Sequence, residues 1–217
     1  MEQQSQLLVR KATAEDLPHI EALQVRVYKE EGYLSCNHAH SMGTEAPFND
    51  LNLTDIFVAV RTNTNGAEEL VGTLSITESG KEGLPLFTRD FPDSMRTLSQ
   101  DRSKLCVLWR FIVTPHSRAS FQAAMLLIME AILAGQKRHV KRAICAVNPD
   151  KHGLFYRSKL GFAEIGYCAN VSGLENAPAV LLFASVHDLE TQYHPLVQKI
   201  TSIHRAHNVS EMAAHIA

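Results

Sequence analysis

Apolar residues along this chain follow two rhythms, one suited to strands and one to helices. The run Leu7–Lys11 predicts a first short strand. From Thr13 the rhythm lengthens: Leu17, Ile20, Leu23, Val27 and Tyr28 fall on one face of a helix reaching about Glu31. Thr13 is placed to cap it, with Asp16 three residues on approximating a capping box, and Gly32 to end it. Residues 33–53 are polar and irregular, with Gly43 and Pro47, and read as a loop or short helical turns. Asp55–Arg61 and Leu70–Thr77 read as a hairpin across the turn signal Asn63-Thr-Asn-Gly66. Ser79–Gly83 breaks the pattern. Leu84–Arg102, with its two prolines, predicts an excursion holding a short helix near Asp93–Leu98 and is a candidate substrate-lining segment.

The stretch from Lys104 to Phe162 then predicts a βαβα unit. Cys106–Val113 is apolar on both faces, as a buried strand requires. Ser117 or Ser120 can cap a helix running to about Arg138. Phe121, Met125, Ile128 and Ile132 line one side of it and Leu126, Met129 and Leu133 another, so deep packing is expected. Lys141–Val147 is the next strand, Asp150–Leu160 a helix stopped by Gly161, and Phe162–Ala169 and Pro178–Val186 two closing strands. Beyond His187 an apolar spacing interrupted by Pro195 predicts a docked helical tail. The order indicates one mixed-sheet α/β domain with its core at about 7–186 and a C-terminal helical extension over 187–217.

Composition narrows the function classes. A net charge of −2 over 217 residues gives no concentrated basic face for nucleic acid. Cys36, Cys106, Cys145 and Cys168 lie far apart with no CxxC pair, which favours reduced thiols in a cytoplasmic protein over disulfides or zinc. His38 and His40 form the one histidine pair at i, i+2, so no metal site is expected. The opening MEQQSQLLVRK has neither a long apolar region nor a basic leader, so no signal peptide is expected. No apolar run approaches the roughly 20 residues that span a bilayer.

Two motifs carry a family resemblance. V-T-P-H-S-R-A-S-F-Q-A-A-M-L-L (113–127) resembles motif A of the GNAT superfamily of N-acyltransferases, and N-P-…-F-Y-x-x-x-L-G-F (148–162) resembles motif B. R-V-Y-K-E-E-G-Y (26–33), G-L-P-L-F (83–87), N-P-D-K-H-G-L-F-Y (148–156) and N-A-P-A-V-L-L (176–182) are similar to the N-acyl amino acid synthases, relatives of the acyl-homoserine-lactone autoinducer synthases. The resemblance implies a GNAT fold and an acyl thioester of phosphopantetheine as co-substrate, carried on acyl carrier protein or coenzyme A. It also implies an amino acid-like amine as acceptor.

Acyl transfer from a thioester to an amine needs an amine held against the carbonyl, donors for the developing oxyanion and a proton for the leaving thiolate. By the resemblance, the donors lie in the backbone of Phe111, Ile112 and Val113, and pantetheine amides pair with that strand like an added strand. Arg118, Ala119, Ser120 and Gln122, at the start of the following helix, would meet a phosphate; an ordinary helix start reads the same way. Tyr156 is the thiolate acid by motif match, or else a core aromatic. Asn148 either faces the ligand or caps the next helix. Arg26, Tyr28 and Tyr33 match the first-helix region that orders the amine side, with Asp50 in the following loop. The basic run 137–142 suits the end of a helix better than a partner.

Arg110 is the odd charge in Cys-Val-Leu-Trp-Arg-Phe-Ile-Val and matches the arginine of the autoinducer synthases' E-x-S-R motif. A buried charge needs a partner or a wet cleft, which marks Arg110 as a catalytic candidate. The chain departs from the pattern nearby. Val107 and Trp109 stand in for the motif's glutamate and serine, and Ser75 for an arginine. Phe121 and Ala119 replace glycines that let a diphosphate approach. Glu31, Glu45 or Asp50 could supply the missing carboxylate. Two alternatives stay open: an acetyl-CoA-dependent N-acetyltransferase, and a GNAT-fold binding module without catalysis.

Overall fold

A computed structural model describes residues 6–34, 54–63, 66–78, 85–101, 104–114, 118–172 and 174–193. Seven strands form one sheet: β1 (Gln6–Lys11), β2 (Thr54–Thr62), β3 (Glu68–Glu78), β4 (Leu105–Val113), β5 (Arg142–Val147), β6 (Ala163–Cys168) and β7 (Ala179–Ser185). Their order is β1-β2-β3-β4-β5-β7-β6, and β4–β5 is the parallel pair in an otherwise antiparallel sheet. A parallel pair needs a crossover, and α4 (Arg118–Lys137) supplies it.

Alternation along the strands sorts the helices onto two faces. On one face, Phe57, Ala59, Leu74 and Ile76 pack on Ala123, Leu127 and Ala131 of α4. There α5 (Leu154–Leu160) sits beside α4, with Tyr156 and Leu160 packed among Ile132, Cys145 and Leu182. On the opposite face, Ile20 of α1 (Leu17–Glu30) covers Ile56, Val58 and Val60. The same face carries α2 (Pro85–Asp90) and α3 (Pro92–Ser99), whose Phe87, Phe91 and Met95 cover Val107, Ile144 and Leu181.

The predicted strands are all present, with bounds moved by a few residues. Three features differ from expectation. Pro85 opens a second helix, α2, where one was expected, because proline is tolerated in a first helical turn. The helix over 150–160 divides into a π-turn, Pro149–Gly153, and α5. Phe121, expected on a packed seam of α4, is 65% exposed. Gly161 closes α5 in the left-handed conformation at φ 71°, as its position after Leu160 suggested. Residues 186–193 begin the expected helical tail, and the remainder lies outside the described residues.

Charges fix the far end of the sheet. Asp55 accepts from Arg138, just past α4, at 2.5 Å and pairs with Lys11 at 2.5 Å. Arg142 donates to the carbonyls of Leu98 at 2.8 Å and Asp101 at 2.6 Å. Both arginines of the basic run at the end of α4 are thus engaged within the fold. At the chain's start, Asp16 accepts from the Thr13 backbone N–H at 2.7 Å and from Arg10 at 2.7 and 3.0 Å. The Arg10 hydrogen bond, aided by Thr13 against the cost of burial, holds the Asp16 carboxyl down at about 2.

A depressed carboxyl contributes stability above its unfolded value near 3.9, and that contribution is lost as pH falls through the folded value. Asp16→Asn should therefore lower the unfolding free energy by about 1–2 kcal/mol at pH 7. Urea melts of both proteins should converge near pH 2.

Candidate active site

The parallel pair is short. β4 and β5 are joined at Leu105–Arg142, Cys106–Ala143 and Val107–Ile144, and there the ladder stops. Beyond it β4 continues through Val113 and β5 through Val147, so the two strands run on without laddering to each other across the gap between them. Unpaired backbone N–H groups at a strand edge can take an added strand or a developing oxyanion. Phe111, Ile112 and Val113 all lie on this freed stretch.

A bulge in β4 sets which side chains flank the gap. Thr73 pairs with Ile112 and Ser75 with Trp109, so Arg110 and Phe111 together oppose Leu74. Arg110 has φ 52°, left-handed backbone that a side chain adopts at some cost. The result is that Trp109 and Arg110 both face α1, while Phe111 turns to the α4–α5 face. Gly72 permits the close approach behind this bulge: a Cβ there would stand 3.0 Å from the Ile112 carbonyl oxygen.

On the α1 side the surroundings are polar. Arg110 is 6% exposed, and its Cζ stacks 4.2 Å from the centre of the Trp109 ring. Trp109 is itself held by donating from Nε1 to Thr77 Oγ1 at 2.8 Å. Burial pushes the Arg110 guanidinium below its ordinary value, and the Glu21 carboxylate and Tyr28 hydroxyl act in the opposite direction, favouring its charge. Tyr28 is raised by burial despite a hydrogen bond with Gln24. Its ring meets Tyr33 edge-on at 5.9 Å. The end of α1 is clasped to the π-turn after β5 by the Lys151–Glu31 ion pair, and the Lys151 ammonium stands 5.0 Å over the Tyr33 ring. Glu175, before β7, donates its backbone N–H to the Tyr33 carbonyl at 3.0 Å.

The α4–α5 side is apolar. Phe111, Phe155 and Phe162 surround Tyr156 edge-on at 5.7–6.2 Å. Burial raises the Tyr156 hydroxyl well above its ordinary value, so it stays protonated at neutral pH. Behind this cluster runs a cavity lined by Phe111 and Tyr156 at one end and by Cys106, Ala143 and Val186 at the other, with Leu108, Ile132 and Gly135 among the residues between.

The structure thus brings Tyr28, Tyr33 and Arg110 together and sets Tyr156 across the sheet from them. Arg26 is exposed on α1. Asn148 Oδ1 accepts from the N–H groups of Asp150 and Lys151 at 3.0 and 3.1 Å, the capping geometry. Ser120 Oγ donates to the Thr114 carbonyl at 2.7 Å, and Gln122 is exposed. Arg118 and Ala119 begin α4, but their side chains, like Glu45 and Asp50, lie outside the described residues. Among the described residues no histidine, cysteine or carboxylate cluster could hold a metal, and no helix is long and apolar enough to cross a membrane.

Sequence reasoning missed Glu21. It sought a carboxylate in the loop, whereas the Glu21 carboxylate of α1 is the one that favours the charge of Arg110. The signal was present: Leu17, Glu21, Gln24 and Tyr28 at i, i+4, i+7 and i+11 form a stripe facing the sheet, with two polar members. Val107 cannot serve, being sealed in the apolar cluster under α2 and α3.

The profile of the family "N-acyl amino acid synthase FeeM" matches residues 19–185. The chain belongs to this family. Among solved structures it is similar to FeeM, an N-acyl amino acid synthase from uncultured soil microbes, at 24% identity over 88% of this chain and 96% of that one, with a TM-score of 0.70. It is also similar to Arabidopsis thaliana NAA60 solved with acetyl-CoA (15% identity, 84% and 99% covered, TM-score 0.56). A GNAT-family acetyltransferase from Staphylococcus aureus Mu50 is a further likeness (11%, 83% and 99%, TM-score 0.56). A search of curated proteins finds no match. This member of the FeeM family is an acyltransferase with the GNAT fold.

Burial pushes the Cys106 thiol up to about 12 and raises Cys145 as well. Cys168 is half-exposed. Because the thiolate is the reactive form, a maleimide at pH 8 should label Cys168 and spare Cys106 and Cys145 in the folded protein, as peptide mass mapping would show.

Proposed function

We propose that this protein transfers a medium or long acyl group from a phosphopantetheine thioester to the amine of an amino acid, with acyl carrier protein or coenzyme A as donor. The observation that carries this reading is the apolar cavity behind the gap. Its lining follows β4 from Phe111 back to Cys106, five residues and so about 16 Å at strand rise. The cavity is longer than an acetyl group needs, its space is about 40 Å³, and a medium or long chain enters by parting the apolar side chains that line it. Reduced thiols suit a cytoplasmic enzyme.

In this reading the thioester lies in the gap with its tail beneath Phe111 and Tyr156. The acceptor nitrogen approaches from the α1 side, forms the N–C bond, and the C–S bond breaks. The carbonyl oxygen is met by backbone N–H groups of the unpaired edge near 111–113, and the departing thiolate takes the Tyr156 proton. The amine gives up its own proton on the α1 side. The exposed Phe121 ring, in the first turn of α4, occupies a place that acetyl-CoA enzymes give to glycine, which favours a carrier-protein arm with its single phosphate over a diphosphate.

Gly135 gives a direct test, because a Cβ built there meets nothing within 4 Å. The wild type should use dodecanoyl or longer thioesters well and acetyl thioester poorly. Gly135→Leu should reduce long-chain kcat/KM about 10-fold or more while sparing short chains. A wild type that prefers acetyl-CoA would overturn the reading. Tyr156→Phe should lower kcat by about 100-fold with little change in KM; an unchanged kcat would remove Tyr156 from the proton transfer.

A further inference from the structure

The apolar cavity behind Phe111 and Tyr156 has one wall that belongs neither to the sheet nor to α4 or α5. Val186 and Leu189, on the helix over 186–193, line it and are 8% and 6% exposed. Both lie beyond residues 19–185, the stretch that the family profile matches. The helix follows β7 without a loop, and the Val186 N–H donates to the Lys141 carbonyl at 3.0 Å. Leu189 and Tyr193, four residues apart, turn its inner face to Tyr156, Leu160 and Phe162, while His187, Asp188, Thr191 and Gln192 are exposed.

The walls differ in how they are held. β3, β4 and β5 are fixed by their ladders, and α4 buries Ala123, Leu127, Ala131 and Ala134 in the core. Among the described residues, the polar hold of the 186–193 helix on α5 is one oxygen. Gln192 Nε2 donates to the Lys159 carbonyl at 3.0 Å, and the Tyr193 hydroxyl donates to the same atom. That carbonyl is one that a helix end leaves without a partner of its own. The fit is close: a Cβ on Gly161 would stand 2.9 Å from Gln192 Oε1.

We infer that the helix over 186–193 is the movable wall of the acyl cavity: Leu189 sets the chain length accepted, and the helix lifts from α5 when a longer chain enters. The cavity holds about 40 Å³, so a long chain has to displace part of a close-packed lining. Lifting this helix breaks two hydrogen bonds to Lys159 and parts Leu189 and Tyr193 from the aromatic cluster. Moving a strand instead would break a ladder. Burial of the chain offsets the cost, at about 4-fold in affinity for each methylene. An acetyl group brings no methylene and leaves the helix docked. Leu189 is then a specificity-determining residue, and Tyr193 a positioning residue that acts through it.

The inference rests on the acyltransfer reading, and its test separates the two. Acetyl, octanoyl, dodecanoyl and hexadecanoyl thioesters of pantetheine would be assayed with wild type and variants. Leu189→Ala should raise kcat/KM for hexadecanoyl relative to dodecanoyl about 10-fold. Leu189→Trp should lower dodecanoyl use about 10-fold and spare octanoyl. Leu189→Met, which conserves volume, should keep the wild-type profile. Tyr193→Phe keeps the ring and loses the bond to Lys159, so relative use of hexadecanoyl should rise about 5-fold. Thermal melts check that each variant folds. Hydrogen exchange gives a second readout: dodecanoyl pantetheine should speed exchange of the 187–193 amides about 10-fold, and acetyl pantetheine should leave it unchanged. A chain-length profile that both Leu189→Ala and Leu189→Trp leave in place would overturn the inference while leaving acyl transfer standing. So would tail amides that the dodecanoyl probe does not loosen. If no thioester is consumed but that probe still loosens the tail, the movable wall stands and the transfer reading falls.

Discussion

Everything distinctive in this structure depends on the early end of one strand pairing. β4 and β5 share three registered pairs and then separate, although both strands run on. Separation turns strand edges toward the gap, where a ligand's own polar groups can meet them. The bulge at Arg110 is the local means by which β4 keeps its bonds to β3 while its side-chain alternation shifts. A left-handed arginine in a buried strand is costly, and the neighbouring elements over-determine it: Trp109 is fixed by Thr77, and Gly72 admits the Ile112 carbonyl at close range.

From that separation follows a division of labour between the two sides of the sheet. Consecutive residues 110 and 111 point to opposite faces, one into a charged and hydroxyl-bearing cluster, the other into an apolar cavity ringed by aromatics. A low-dielectric wall on one side strengthens each electrostatic contact on the other. Tyr156, kept protonated by burial, belongs to the apolar side, and the Glu21 carboxylate acts on Arg110 on the polar side.

The fold was largely readable because its signals are local. β-branched runs, the Thr13–Asp16 box, the Gly161 stop and the Asn-Pro start are short-range features with fixed physical meanings. What the sequence left hidden is long-range. The point at which β4 and β5 part depends on a register between residues about 37 apart, and no periodicity encodes it. Arg110 announced itself as a charge within an apolar run, yet its left-handed backbone did not, because arginine is no conformational marker. Glu21 was concealed for the opposite reason: a carboxylate on an amphipathic helix reads as solvated unless the stripe it shares with Gln24 and Tyr28 is traced to the sheet. Phe121 misled, since an apolar residue at helical spacing counts as core until its exposure is seen.

The shape of the opening has one more consequence. β4 and β5 remain joined at Leu105–Val107, so the space between them is closed at that end and widens toward the ends of the strands. It is a slot and not a hole. A molecule with a greasy tail on one side of the sheet and a charged head on the other need not be threaded through; it can be laid in edgewise and slide out the same way. Neither end of such a molecule then has to be dragged past a constriction, and none of the three β4–β5 pairs has to break to admit it.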